Sequence, residues 1–472
     1  MRARLSTTFQ SLTVRNYRLF AIGQLIKLIG VWMMFVAQDW LVLNLSDDSA
    51  TALGVVVALQ FTPVLLLTLI SGRLADRYDK RLLLFVANAF WSTLALGMSL
   101  LVITGVVRLW HVFVFAALLG VANAVETPVR QSFVSELVGN QLLPNALALS
   151  SATFNSARIA GPALAGVAIA ALDVGPVFLI SALLSVGPLV CLVLMRAAEL
   201  YREALPPVAE RDSARVIDGI RYVARRSDLV LPMVLMSVLG LTLYNFQITL
   251  AALAKTVFNT GAASFGLFTT ALAVGALAGA LGGTGRRSRP SAWLVIGAAV
   301  GMGVFGTLVG LAPTFWLVML LLPVTGFFMV FFAQAGNQRV QLGVDAAYRG
   351  RVMSLWVLVF MGSNPVGAPI VGWIAERFGA GASIWIGGVI STAAALVALA
   401  WQLRRTGARL RLRVRPLPRI YVVPAPAGEA VTREVPAAQP VMGRAPYTTE
   451  SDNKGPVLTL AAEPVAPRKP AA

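Results

Sequence analysis

Four ionisable residues sit inside long apolar stretches of this chain: Lys27, Asp39, Glu126 and Arg158. A charge at the centre of an apolar helix costs roughly 2.5–3.5 kcal/mol on insertion scales, so such residues normally face a partner or a water-filled cavity. Lys27 shares a stripe at helical spacing with Gln24, Val31, Phe35 and Gln38, and Arg158 lies one turn after Asn155. Two cations at that depth could meet an anionic group on a small molecule. A carboxylate that titrates as its surroundings change could carry a proton. Asp39 is the first candidate for that role and Glu126 the second. Glu126 also stands i,i+4 from Arg130, a spacing that suits a structural ion pair equally well. Gln60, Asn88, Asn123, Asn245, Gln247 and Asn364 add neutral polar groups at middle depths. For each of these taken singly, interhelical hydrogen bonding worth about 0.6 kcal/mol is the plainer reading. The chain has one histidine, His111 beside Trp110, and one cysteine, Cys191, so it holds neither a thiolate metal cluster nor an intrachain disulfide. With no nucleophile elbow or zinc-type helix motif either, no enzyme activity, metal or cofactor is expected.

The elements that must position these residues are apolar and long. The 472 residues are 57% hydrophobic and 13% charged, against about 25% charged in soluble domains, and the mean hydropathy is +0.76. This is the composition of an all-α polytopic membrane protein. Twelve spans are expected at about 17–45, 51–71, 82–104, 109–130, 143–172, 176–196, 229–255, 264–284, 291–312, 314–338, 352–375 and 381–403. The first is longer than a signal-peptide core and lacks a small-x-small cleavage site, which reads as a retained helix. The expected organisation is an N-terminal segment 1–16, a six-helix bundle 17–196, a linker 197–228, a second six-helix bundle 229–404 and a tail 405–472.

Alternate loops differ in charge. One set carries Arg73, Arg77, Lys80 and Arg81, then Arg130, Arg196 to Arg226, Arg286 to Arg289, and Arg339 to Arg351; the other set is short and nearly free of cations. The positive-inside bias places the basic set and both termini in the cytoplasm of a multi-pass protein of the inner or plasma membrane. In the linker, Ser213 to Ser227 reads as an amphipathic helix on the inner leaflet, with Val216, Ile220 and Val223 on one side. Beyond Trp401 the Arg-, Pro- and Ala-rich tail cannot bury enough surface to fold alone, and is expected to be disordered with a lipid-binding basic start. The net charge of +18 therefore points to anionic lipid of the inner leaflet rather than nucleic acid. A monomer is expected.

The two halves are related in sequence. Gly161-Pro162-Ala163-Leu164-Ala165-Gly166 in the fifth span has a counterpart in Gly367-Ala368-Pro369-Ile370-Val371-Gly372 in the eleventh. Two such halves around a midplane cavity are the architecture of a secondary transporter. Gly275, Gly279 and Gly283 add a small-xxx-small row for close helix packing. Between spans two and three, Gly72-x-x-x-Asp76-Arg77-x-x-Lys80-Arg81 resembles the signature of the major facilitator superfamily, with Asp79 where that family usually has glycine. The resemblance covers about residues 10–405 and leans towards the branch of bacterial siderophore and multidrug exporters. It implies two pseudo-symmetric six-helix bundles that work by alternating access. It also implies a conformational latch of Gly72, Asp76, Arg77, Lys80 and Arg81, with Arg130 as the cation Asp76 would meet. Gly161, Pro162 and Gly166 resemble the antiporter motif of helix five.

The leading expectation is a proton-driven efflux carrier for a small amphiphile, drug-like or siderophore-like, needing no cofactor beyond the proton gradient. Its cavity would be lined by Gln24, Lys27, Gln60, Asn88, Asn123, Asn155, Arg158, Asn245 and Asn364. An importer of a small metabolite and a non-transporting membrane sensor remain as alternatives.

Overall fold

The computed structural model describes residues 9–201, 216–284, 288–345, 348–407, 409–413 and 419–423. Among them, twelve helices are long and apolar enough to cross a membrane. Lipid offers no partner for backbone N–H and C=O groups, so apolar runs of this length settle as helices that satisfy themselves. They are α1 Arg15–Leu45, α2 Ala50–Arg77, α3 Lys80–Ile103, α4 Leu109–Gly139, α5 Gln141–Leu172, α6 Val174–Leu194, α7 Ser227–Val257, α8 Ala262–Thr284, α9 Ala292–Leu311, α10 Phe315–Gly343, α11 Arg349–Phe378 and α12 Ala380–Thr406. Successive helices run antiparallel, so the junctions α2–α3, α4–α5, α6–α7, α8–α9 and α10–α11 share one end of the molecule, here termed the basic face.

The charged stretch from Gly72 to Arg81 is less of a turn than its composition suggests. Helix α2 continues through Arg77 and α3 starts at Lys80, leaving only Tyr78 and Asp79 outside helix. Asp79 accepts a 3.1 Å hydrogen bond from the Leu82 N–H and so caps α3. That role explains an aspartate where glycine is usual, since a capped start replaces a flexible turn. The side chains of Asp76 and Arg77, and the surroundings of Gly72, lie outside what is described, and the expected Asp76–Arg130 contact with them. Lys80 pairs with Glu136 of α4 at 2.6 Å, and Arg81 donates to the Leu192 and Val193 carbonyls at the end of α6. Helix α4 also runs further than the expected 109–130, ending at Gly139, whose φ of +68° breaks the chain direction before α5.

The linker departs from expectation. A helix spans Val216–Ala224, and one side of it packs on protein. Val223 is buried while Ile220 is exposed. Tyr222 stacks on Tyr348 at 4.4 Å and donates to Asp345, and Gly219 lies against Arg351 of α11. Arg226 and Arg289 both pair with Asp228, tying the start of α7 to the α8–α9 loop. Two tail segments, β1 Arg409–Arg413 and β2 Arg419–Val423, pair as antiparallel strands where a disordered chain was expected. The alternation Arg-Leu-Arg-Leu-Arg has the strand period of two. The rest of the tail lies outside the described residues.

The repeat pattern explains how the bundles meet. Helix α5 packs against α8, and α11 against α2. Their crossings fall on the repeated glycine-proline segments: Gly166 and Pro162 lie against Ala263 and Gly266, and Gly372 and Ala368 against Ala50 and Gly54. A Cβ on Gly166 would stand 2.9 Å from the Ala263 Cα, too close for any larger residue without moving the helices. The row Gly275, Gly279 and Gly283 does the same work inside the second bundle, bringing α8 onto α10.

Candidate functional site

Helix α7 is discontinuous at mid-length. Regular α-helix stops at Thr242, resumes at Phe246, and passes into a π-turn at Leu253–Val257. Neither glycine nor proline falls within Leu243–Asn245, and the Asn245 amide donates back to the Gly240 carbonyl at 3.3 Å to offset the freed backbone. Broken helices at this depth are tolerated where they line a cavity. The break turns Gln247 towards Asp39 of the first bundle, while Asn245 stays against its own helix and Gly367 of α11.

Beneath the break sits Arg158 of α5. It is half-buried, with its guanidinium over the Trp32 ring at 5.9 Å and within electrostatic reach of Tyr244. Among the described residues no carboxylate forms an ion pair with it. The Trp32 indole N–H is buried and has no acceptor. Trp32 is held by Phe35 and Phe154 at 5.7 and 5.9 Å, and by Gly161 of α5, whose missing side chain makes room for the Trp32 Cβ. Tyr244 donates to the Met329 carbonyl at 2.7 Å and meets Phe360 edge-on at 5.6 Å. The result is a cation and an unpartnered N–H donor set among aromatic rings. Such a place suits an anionic group carried on an apolar body.

Lys27 behaves differently from Arg158, although both were expected as free cavity cations. Its ammonium lies 3.1 Å from Glu126 of α4, and Arg130 approaches the same carboxylate oxygen at 3.1 Å. Glu126 and Arg130 thus form the i,i+4 pair that their spacing allows, and Lys27 joins it to make a buried triad. Asp39, 1% exposed, accepts a 2.6 Å hydrogen bond from Gln247 across the bundle interface, while its second oxygen has no partner.

One turn and more beyond Asp39, away from the basic face, Lys255 of α7 pairs with Asp48 and Asn44 at 2.6 Å each. Glu376 of α11 accepts from the Ser49 hydroxyl and the Thr51 N–H at 2.6 and 3.0 Å. These contacts join the bundles at the end opposite the basic face. Towards the basic face, a cavity of about 450 Å³ opens between α8, α10 and α11.

The remaining expected cavity residues divide. Gln24 and Asn88 share a small pocket under Cys191, each with an unpartnered carbonyl oxygen, and Gln60 has an unpartnered amide nitrogen. The Asn155 amide is turned back onto the Ser151 carbonyl of its own helix. Asn123 and Asn364 are half-buried. Trp32, Tyr244 and Lys255 were not legible as site residues. An aromatic beside a polar stripe and a lysine near a cation-poor face were their only signals.

The geometry agrees with what known proteins resemble. Residues 6–421 match the family described as transmembrane secretion effector. Over 119 residues, 25% of this chain, the sequence is 30% identical to the staphyloferrin A transporter of Staphylococcus aureus, a match that spans 30% of that relative's length. A bacterial homologue of the iron transporter ferroportin in its inward-facing state superposes with a TM-score of 0.65 at 14% identity, covering 82% of this chain and 98% of that one. The nucleoside transporter NupG superposes with a TM-score of 0.63 at 13% identity, over 82% of this chain and 98% of that one. At these identities the solved structures establish the fold alone. The chain belongs to the transmembrane secretion effector family and is a secondary transporter of the major facilitator superfamily.

Proposed function

We propose that this transporter exports a small acidic or neutral amphiphile from the cytoplasm, driven by the proton gradient. The carrying observation is Arg158, set over Trp32 with no carboxylate to neutralise it. A cation within the membrane is costly unless something supplies negative charge, and a transported anion does so once per cycle. The family's description as secretion effectors and the partial likeness to a staphyloferrin A transporter support efflux of such a molecule. Asp39 serves as the proton carrier, because it bridges to Gln247 across the seam that must part when the opposite face opens. Glu126, bound to two cations, is the structural partner of Lys27 and Arg130.

In this reading the basic face is cytoplasmic, the chain acts as a monomer in the inner or plasma membrane, and its arginines meet anionic lipid. The bundles 17–196 and 229–404 rock about the α2–α11 and α5–α8 seams. With the Lys255–Asp48 and Glu376–Ser49 contacts closed, the arrangement is open to the cytoplasm. Inside-out vesicles energised by acidifying their lumen should accumulate fluorescein, an acidic amphiphile, and leave ethidium, a cation, outside. Gradient-driven accumulation of fluorescein by whole cells would instead make the protein an importer.

A further inference from the structure

The 450 Å³ cavity on the second bundle has a chemistry that the Arg158 site lacks. Gln334, Asn337 and Gln338 fall at i, i+3 and i+4 on α10, so three uncharged amides share one helix face. Opposite them, Trp356 and Phe360 are one turn apart on α11. Trp356 is fixed by its fit against Gly336, and the Gln334 amide lies against Gly283 of α8. Phe360 also meets the Tyr244 ring at 5.6 Å, so Tyr244 stands between this cavity and Arg158. The volume lies within the range of about 300–1,000 Å³ typical of small-molecule sites.

An amide both donates and accepts without carrying charge, so Gln334 and Asn337 discriminate poorly by charge but well by hydrogen-bonding capacity, while Gln338 already has a contact of its own. Aromatic walls beside them favour a flat ligand. We propose that this cavity is a second substrate subsite, which takes an uncharged, planar, hydrogen-bonding moiety, while Arg158 and Trp32 take the acidic group of the same molecule. The transported class is then bipartite: an acid joined to a flat polar body with oxygen or nitrogen on its far edge. This rests on the export reading only in naming the ligand as cargo; the binding claim stands separately.

Equilibrium dialysis of the purified full-length carrier at about pH 5.5 tests it with two acids that carry a planar tricyclic body; at that pH the fluorescein carboxylate is ionised and its xanthene is neutral. Fluorescein has oxygens on the edge far from its carboxylate; 9-anthroate has none. The double variant Gln334→Leu/Asn337→Leu should weaken fluorescein binding about tenfold and leave 9-anthroate within twofold of wild type, whereas Arg158→Gln should weaken both. Gln338 stays in place because it already has a contact of its own. Equal loss of both acids in the double variant, or no loss of fluorescein, overturns the subsite, as does a wild type that binds neither. Fluorescein that binds with this selectivity but is not moved across vesicles supports the subsite and overturns the export reading.

Discussion

At the scale of single residues, two buried cations that look alike in sequence have opposite surroundings. Lys27 is neutralised by Glu126, whereas Arg158 lies over the Trp32 ring and pairs with no carboxylate among the described residues. Their substitutions should therefore fail differently. Lys27→Met leaves Glu126 with Arg130 alone and should cost about 2 kcal/mol of stability, read as a lowered melting temperature in detergent. Pairing it with Glu126→Gln should restore most of that loss. Arg158→Gln should instead keep wild-type melting and reduce fluorescein flux at least tenfold; normal flux would remove Arg158 from the substrate site. Asp39→Asn should flatten the pH dependence of transport while preserving substrate binding. A pH profile identical to wild type would exclude Asp39 as the proton carrier. The depth of these residues was legible because charge is rare in apolar runs. Which of them had partners was not, since Glu126 lies 99 positions from Lys27 in sequence.

At the scale of elements, the glycine-proline repeats were visible as sequence but their purpose emerged only where helices cross. Both land on the seams between bundles, where backbone meets backbone. Gly372→Leu should hold α2 and α11 apart beside Ala50, lowering flux and exposing Thr51→Cys to a membrane-impermeant thiol reagent in a Cys191→Ser background. Unchanged reactivity would show that the seam tolerates bulk. The break in α7 was hidden, because Leu243, Tyr244 and Asn245 carry no strong helix-breaking signal and tertiary packing overrides their propensity. The linker helix was recognised as a helix, but its buried side was misassigned. Apolar residues alone grouped Ile220 with Val223 on a side turned to the inner leaflet, whereas Tyr222 and Arg226, through Tyr348, Asp345 and Asp228, hold this helix against the protein.

At the scale of the whole molecule, the bundles are joined by few polar contacts at the end away from the basic face. Ser49 and Glu376 touch directly across that seam. Joining Ser49→Cys to Glu376→Cys with a short, reducible thiosulfonate crosslinker should stop transport, and reductant should restore it. Continued flux when crosslinked would rule out alternating access about this seam. Removing residues 406–472 should leave fluorescein flux near wild type, since the contacts described for the cavity all fall within residues preceding it. Abolished flux would instead favour a signalling role for the tail.

Sequence by itself determined the number of spans, the alternation of charge between the two faces and the duplication of the halves. Each is a local or periodic property, set by what a bilayer excludes and by the chain's repeating pattern. The tertiary structure decided which buried charges are quenched, where α7 breaks and which glycines become seams. It also placed three amides of α10 against two aromatic rings of α11. Those outcomes depend on contacts between residues far apart in the chain, and helical periodicity carries no information about the helix on the other side.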